Sequence, residues 1–370
     1  MKLSGEIALA SGFIFDYSNM INTDTITPAV IETLESKAKD AADALLLIRE
    51  QGMAKAHLSK DGTPEHVLFT KLPFVKNGNP NTPESIAKLK QFGSYLQQEI
   101  DAVVFLGVGG SYLGNKVLFD IFAGSGWNVG CEKRRHGYPR VYFSGNNLDV
   151  DQYSEVVDEV EYLATHRLGK NEQFRVLLVP ISKSGTTLET LAAFSYFYEQ
   201  CQKSSLLQME VAVVTDLDED ISPLYNLAKE NVWQCFDIKE GIGGRFCIFS
   251  DPGLITAAAI GMDIDAFLCG ARDMENACQS ASLGENPALL NAVLKYAAAE
   301  KGVDIEVFMP YAAKMKSVGE WYVQLLAESL GKRKDREGNV VYYGRTPVSA
   351  VGSTDMHAQT CKRLGGKLLV

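Results

Sequence analysis

Between residues 28 and 57, apolar side chains recur at helical spacing, from Pro28-Ala-Val-Ile through Leu45-Leu-Leu-Ile-Arg49. Pro28 suits the first position of a helix, where the missing N–H has no partner to lose. The pattern predicts a leading helical arm over residues 1–60. A Gly/Asn/Pro-rich stretch, Lys76 to Pro83, marks a loop before a second helix at about 84–99. Ala102-Val-Val-Phe-Leu106 then abandons the helical period for five consecutive apolar residues, as expected of a strand buried on both faces of a parallel sheet. Further strands are predicted at about 175–181 and 210–215, with helical segments between them. Strands alternating with helices specify an α/β fold, with right-handed crossovers and ligands at the carboxyl ends of the strands.

The alternation resumes near residue 284. Asn286 to Ala297 has helical spacing, Val303-Asp-Ile-Glu-Val-Phe-Met309 reads as a strand, and Met315 to Leu330 as another helix. This second α/β unit stops at Gly366-Lys-Leu-Leu-Val370, about 100 residues in and short of a complete covered sheet. The expected organisation is an arm over 1–60, a first αβα sandwich over 61–270 and a partial second one over 271–370. Its last strands are then either absent from this chain or supplied by another. A length of 370 residues agrees with more than one core.

Composition narrows the function class. With 46% hydrophobic and 22% charged residues, the chain is globular. A net charge of -10, from 36 basic and 46 acidic side chains, argues against nucleic-acid or anionic-membrane partners. Any anionic ligand has to be held by local donors. Seven scattered cysteines without a C-x-x-C pair point to reduced thiols rather than a zinc site. The N-terminal residues lack a basic and then apolar leader, and no 18-residue apolar run occurs, so a soluble, cytoplasmic protein is expected.

Ile181-Ser-Lys-Ser-Gly-Thr-Thr-Leu-Glu-Thr190 follows the apolar run 175–180, so a strand enters a hydroxyl-rich loop that opens a helix. Ser182, Ser184, Thr186 and Thr187, with Lys183, stand where unpaired N–H groups favour an anion, and a phosphate is the expected ligand. A helix cap is the simpler explanation, but one cap needs one hydroxyl. Gly107-Val-Gly109-Gly110-Ser111-Tyr112 follows the first strand and fails the dinucleotide pattern G-x-G-x-x-G at Tyr112. Its glycines suit a sugar or phosphate, or a plain strand-to-helix turn. No nucleotide-binding G-x-x-x-x-G-K-[ST] motif occurs.

Gly241-Ile-Gly243-Gly244-Arg245 sets a permanently charged guanidinium behind flexible glycines, where it could stabilise an oxyanion or simply face solvent. In the 315–330 helix, Val318, Trp321, Tyr322, Leu325 and Leu326 form an apolar stripe, with Glu320 and Gln324 opposite. Glu328 falls about 20° from Trp321 on the helical wheel. At the stripe's edge a carboxylate is partly desolvated, an environment suited to a general base. His357 follows an apolar strand and a turn, in Gly352-Ser-Thr-Asp-Met-His357-Ala-Gln359. Histidine suits proton transfer near neutral pH, although a lone one is more often packing. His57, His66, His136 and His166 read as structural.

Five blocks, Gly-x-Gly-Gly-Ser-x-x-Gly (107–114), Ser-Lys-Ser-Gly-Thr-Thr (182–187), Gly-Gly-Arg (243–245), Gln-x-x-x-Glu-Ser-x-Gly-Lys (324–332) and Gly-x-Thr-x-x-His-x-Gln (352–359), resemble those of the glucose-6-phosphate isomerase family in order and spacing, with the bacterial branch nearest. The resemblance implies two sugar-isomerase (SIS) domains, a homodimer with the active site between subunits, and no cofactor or metal. It assigns the substrate phosphate to Ser182, Ser184 and Thr187 with Lys183 beside them, and the sugar to Gly110, Ser111 and Gln324. Glu328 matches the base for a cis-enediol step, Arg245 the group stabilising its charge, and His357 the ring-opening residue reaching in from the neighbouring subunit. The implied reaction interconverts glucose 6-phosphate and fructose 6-phosphate. A non-catalytic SIS module or a bifunctional phosphoglucose/phosphomannose isomerase is the alternative. The family's later lysine has no counterpart here, since Lys362 and Lys367 follow His357 too closely.

Overall fold

The computed structural model describes residues 5–21, 26–58, 62–170, 172–335 and 337–358. Gln359, Cys361, Lys362, Lys367 and the run 366–370 lie outside the described residues. The chain forms two compact units. One is Val75–Ile264; the other combines the described residues up to Phe74 with those from Asp265 on.

The discontinuous unit opens with a short hairpin, β1 (Glu6–Ala8) against β2 (Ile14–Asp16), and a long helix, α1 (Pro28–Gln51). Thr27 caps α1, its hydroxyl accepting from the Val30 N–H at 3.3 Å. The helix stops six residues before the periodicity predicts. Gly52 turns left-handed at φ 68°, its N–H closing on the Ile48 carbonyl, and β3 (Met53–Leu58) follows, paired antiparallel with β4 (Pro64–His66). A side chain at this φ would be strained, so the glycine ends the helix where apolar spacing alone would continue it.

The central unit is a parallel sheet with helices on both faces. Its elements run α2 (Pro83–Glu99), β5 (Ala102–Leu106), α3 (Gly110–Leu118), β6 (Arg140–Ser144), α4 (Val150–Thr165), β7 (Phe174–Pro180), α5 (Leu188–Lys203), β8 (Leu207–Thr215), α6 (Pro223–Glu230), β9 (Gln234–Asp237) and α7 (Asp251–Ala259). The strand order is β6-β5-β7-β8-β9, all parallel. Alternation within each strand feeds two cores. Val104, Leu106, Val176 and Leu178 pack with Tyr153 and Leu163 of α4 and Phe194 and Phe197 of α5. On the opposite face Phe105 stacks on Phe143, and Phe92 of α2 meets Phe236 of β9 with ring centroids 4.9 Å apart. β5 is buried at every position, as its unbroken apolar run predicts.

At the amino end of the sheet, buried Asp101 accepts the N–H groups of Lys170 (2.6 Å) and Arg175 (2.8 Å). The Lys170 ammonium donates to the carbonyls of Leu96, Gln97 and Ile100 at the end of α2, at 3.3, 2.9 and 2.7 Å. The carbonyl end of α2 is thus supplied with a cation. Burial lowers the lysine's pKa.

The discontinuous unit resumes with α8 (Ile264–Ala277), α9 (Pro287–Ala299), β10 (Ile305–Phe308), α10 (Lys316–Leu330), β11 (Lys332–Lys334), β12 (Val340–Tyr343) and β13 (Thr346–Ser349). β10 and β13 pair in parallel, so the predicted α/β alternation holds here, although the described sheet has two strands. Ile7, Tyr17, Ile26, Ile31 and Ala38 share a core with Leu290, Leu294 and Ala297 of α9. Among the described residues the cysteines are free.

Candidate active site

The sheet order of the central unit dictates where a ligand fits. The first strand, β5, is followed by a neighbour on one side, β6, and the chain then crosses to the other side for β7. Loops leaving β5 and β7 therefore diverge. Open α/β sheets bind ligands in the crevice at such a switch point, outside the carboxyl ends of the strands. The two loops here are 107–111 and 181–187, the two Gly/Ser-rich stretches singled out from the sequence. They are joined directly, since Leu106 pairs with Pro180 and the Ile181 N–H donates to the Leu106 carbonyl at 2.8 Å.

The 182–187 loop is braced rather than capped. Buried Ser182 shares a hydrogen bond with the Thr187 hydroxyl at 2.8 Å, and Ser184 with Thr186 at 2.8 Å. Thr187 occupies the N-cap of α5, but its hydroxyl makes no cap bond to the first turn. The capping explanation for the excess hydroxyls therefore fails, and the helix start is left with N–H groups that its own cap side chain does not take. Lys183 and Ser184 are exposed. Gly185 has φ 64°, and a Cβ there would lie 2.2 Å from the Ser222 hydroxyl oxygen. Beneath the loop Thr215, at the end of β8, shares a 2.6 Å hydrogen bond with Ser222 and donates to the Lys183 carbonyl at 3.4 Å. This support was not identified from sequence; its signal was a threonine ending a strand and a serine just before Pro223.

The other loop closes on the arginine motif. α3 begins at Gly110 after Gly109, whose φ of 57° turns the chain out of β5. A Cβ on Gly110 would lie 2.2 Å from the Gly244 carbonyl carbon, so the two backbones touch. Gly244 opens a 3-10 helix running to Phe249. Segments more than 130 positions apart in sequence thus meet, and Arg245 directly follows the residue that touches Gly110. Arg245 is half-buried, its guanidinium 4.7 Å from the centre of the Phe246 ring. Stacking on an aromatic face fixes the guanidinium plane and directs its donors along the planar edge.

Gln324, Glu328 and His357 belong to the discontinuous unit. α10 packs closely on β13 at Gly319, where a Cβ would lie 2.2 Å from Ser349 Oγ. Ser317 and Gly319 are its buried residues, whereas Trp321, Tyr322, Leu325 and Leu326 stay half-buried. The stripe borders a cavity of about 500 Å³, touching it through Tyr322, Leu326 and Leu330. Glu328, expected to be partly buried, is exposed, with Gln324 Nε2 donating to its Oε1 at 2.8 Å. Gln324 thus orients the carboxylate one turn on, while its own Oε1 is buried without a partner. His357 is also exposed, following a turn after β13 in which Asp355 accepts from the Val351 N–H at 2.6 Å and the Gly352 N–H donates to the Pro310 carbonyl at 3.0 Å.

Among the described residues, no group of three or more His, Cys, Asp or Glu is placed to hold a metal ion, and no helix is long and apolar enough to cross a membrane.

Residues 86–361 match the family profile described as phosphoglucose isomerase. The glucose-6-phosphate isomerase of Carboxydothermus hydrogenoformans is 34% identical over 291 residues, which cover 79% of this chain and 59% of that protein. The crystal structure of a glucose-6-phosphate isomerase from Chlamydia trachomatis superposes with a TM-score of 0.75 over 97% of this chain and 67% of that one, at 23% identity. That of a hypothetical protein from Thermus thermophilus gives a TM-score of 0.69 at 27% identity, over 92% and 70%. The chain spans between 56% and 61% of the length of the curated relatives it matches. These likenesses extend the predicted α/β architecture to a fold shared with a solved isomerase.

Proposed function

The chain belongs to the phosphoglucose isomerase family, and from that premise we propose that it interconverts glucose 6-phosphate and fructose 6-phosphate. The observation that carries this reading is the braced hydroxyl loop at the switch point of the sheet, a seat for a phosphate at the start of α5. Ser182, Ser184 and Thr187 hold the substrate phosphate, with Lys183 supplying a nearby positive charge. Gly110 and Ser111 border the sugar. Aldose and ketose differ by the position of one proton and one carbonyl on adjacent carbons. Glu328 removes the C2 proton of the open-chain aldose and returns it to C1, and the hydroxyl proton passes in the same sense, from O2 to O1, so no net oxidation occurs. Neither nucleotide nor metal is required. Charge developing on the cis-enediol oxygens is stabilised by Arg245, and Gln324 holds the Glu328 carboxylate in place. Ring opening falls to the partner subunit's His357 in a homodimer, and the reaction runs in the cytoplasm.

A coupled assay with fructose 6-phosphate tests the activity. Glu328→Gln is expected to lower kcat by about 10²- to 10⁴-fold, the usual contribution of a general base, with sugar-phosphate affinity little changed. Full activity in this variant would remove Glu328 from the role of base. Sugar-phosphate binding without turnover by the parent chain would instead fit a non-catalytic SIS module.

A further inference from the structure

The cavity beside α10 is a constructed feature of the discontinuous unit. Alanines on two helices, Ala38 and Ala41 of α1 and Ala288 and Ala292 of α9, leave its space, and Leu326 and Leu330 of α10 close it. Its volume, about 500 Å³, lies within the range of small-molecule pockets. One end is charged. Glu306, 6% exposed, pairs with Lys295, accepts from the Tyr322 hydroxyl, and accepts from Arg345 Nε at 3.3 Å. Lys295, Tyr322 and Arg345 also border the cavity. Arg345 is 9% exposed and donates through Nη1 to the carbonyls of Lys295 (3.1 Å) and Val303 (3.3 Å). Its Nη2 is buried and has no acceptor. Lys37 borders the same space, donating to the Tyr296 hydroxyl at 2.9 Å. Lys295 and Arg345 thus share the Glu306 carboxylate, and a third cation, Lys37, stands beside the same apolar space.

A buried guanidinium N–H without an acceptor is costly, and groups that bring one are favoured there. We propose that this cavity is a binding site for a small amphipathic carboxylate, its apolar body between α1, α9 and α10 and its carboxylate at the Lys37, Lys295 and Arg345 end. Charge complementarity selects the sign of the head group, and the alanine walls select an apolar tail. Gln324 and Glu328 lie two positions on from Tyr322 and Leu326, on roughly the opposite side of the helix at 100° per residue. The site is thus separate from the residues assigned to catalysis.

Isothermal titration of the full chain with sodium octanoate, and with 1-octanol as the neutral probe of equal length, tests the proposal. Saturable one-site binding of octanoate is expected, with 1-octanol at least about 10-fold weaker, the loss of one charge-assisted hydrogen bond. Lys37→Glu, an exposed change that leaves the core intact, is expected to weaken octanoate by a similar factor, and Ala292→Trp, which fills the space, to abolish it. Circular dichroism verifies that each variant is folded. Equal affinity for the two probes, octanoate binding unaffected by Ala292→Trp, or no saturable binding to the parent chain would each overturn the proposal. So would sedimentation showing that octanoate competes with self-association, which would make a second copy the occupant.

Discussion

Asp251 enters α7 almost wholly enclosed, accepting the Asp237 N–H at 3.1 Å. Burial raises its pKa from 3.8 to about 6, partly offset by that hydrogen bond. A carboxyl harder to ionise in the folded than in the unfolded chain contributes stability that is complete below pH 3.8 and is lost as the pH rises through about 6. Asp251→Asn keeps an acceptor for the Asp237 N–H and carries no charge. The variant is expected to gain on the parent as pH rises, by up to ~3 kcal/mol above pH 6 for a shift of roughly two units, and to lose that advantage in acid. Urea unfolding at pH 5 and pH 8 measures the difference; a pH-independent gap would show that Asp251 does not titrate with folding. Glu328 gives the opposite lesson at this scale. It falls beside Trp321 on the helical wheel, but desolvation also needs a neighbouring element to cover that edge, and Ala327 and Glu328 are both exposed there.

At the scale of elements, two glycines fix how loops meet. Gly185→Ala places a methyl 2.2 Å from Ser222 Oγ at a φ of 64°, and Gly110→Ala places one 2.2 Å from the Gly244 backbone. The first also brings the methyl to 2.9 Å from the Leu224 backbone N, and Ser222 Oγ is itself held by Thr215, so rotating the serine does not relieve it. Gly185→Ala is expected to cost about 1–3 kcal/mol of stability and to raise KM for the sugar phosphate at least about 10-fold with kcat less affected. Gly110→Ala is expected to depress kcat as well, because it separates Arg245 from the loop it adjoins. Steady-state kinetics separate the two patterns. The same contacts explain what sequence could and could not disclose. β5, β7 and β8 were legible because strands buried on both faces show unbroken apolar runs. β6 and β9 carried mixed, short patterns, Arg140-Val-Tyr-Phe-Ser and Gln234-Cys-Phe-Asp, and were not predicted. The end of α1 was overrun because a left-handed glycine is a statement about φ, which hydrophobic spacing does not carry. The loops 107–111, 182–187 and 243–245 were each visible as motifs, but the Gly110–Gly244 contact joining two of them, and the Thr215–Ser222 brace, exist only in three dimensions.

For the whole molecule, the proposed homodimer, with His357 working in its neighbour's site, makes a specific demand on mixtures. Glu328→Gln and His357→Asn chains, each inactive alone, are expected to recover partial activity when dissociated and reassembled together, since a mixed dimer holds one site with both residues intact. A mixture as inactive as its components would confine each site to a single chain. Within the central unit, the two ends of the sheet carry different duties. The carboxyl end presents the loops, while the amino end is fastened by Asp101 and Lys170 through buried hydrogen bonds. Anchoring of that kind decouples evolvability from foldability: the loops at the carboxyl end can drift, and with them the choice of ligand, while the scaffold keeps its register because the knot that ties it is at the far end.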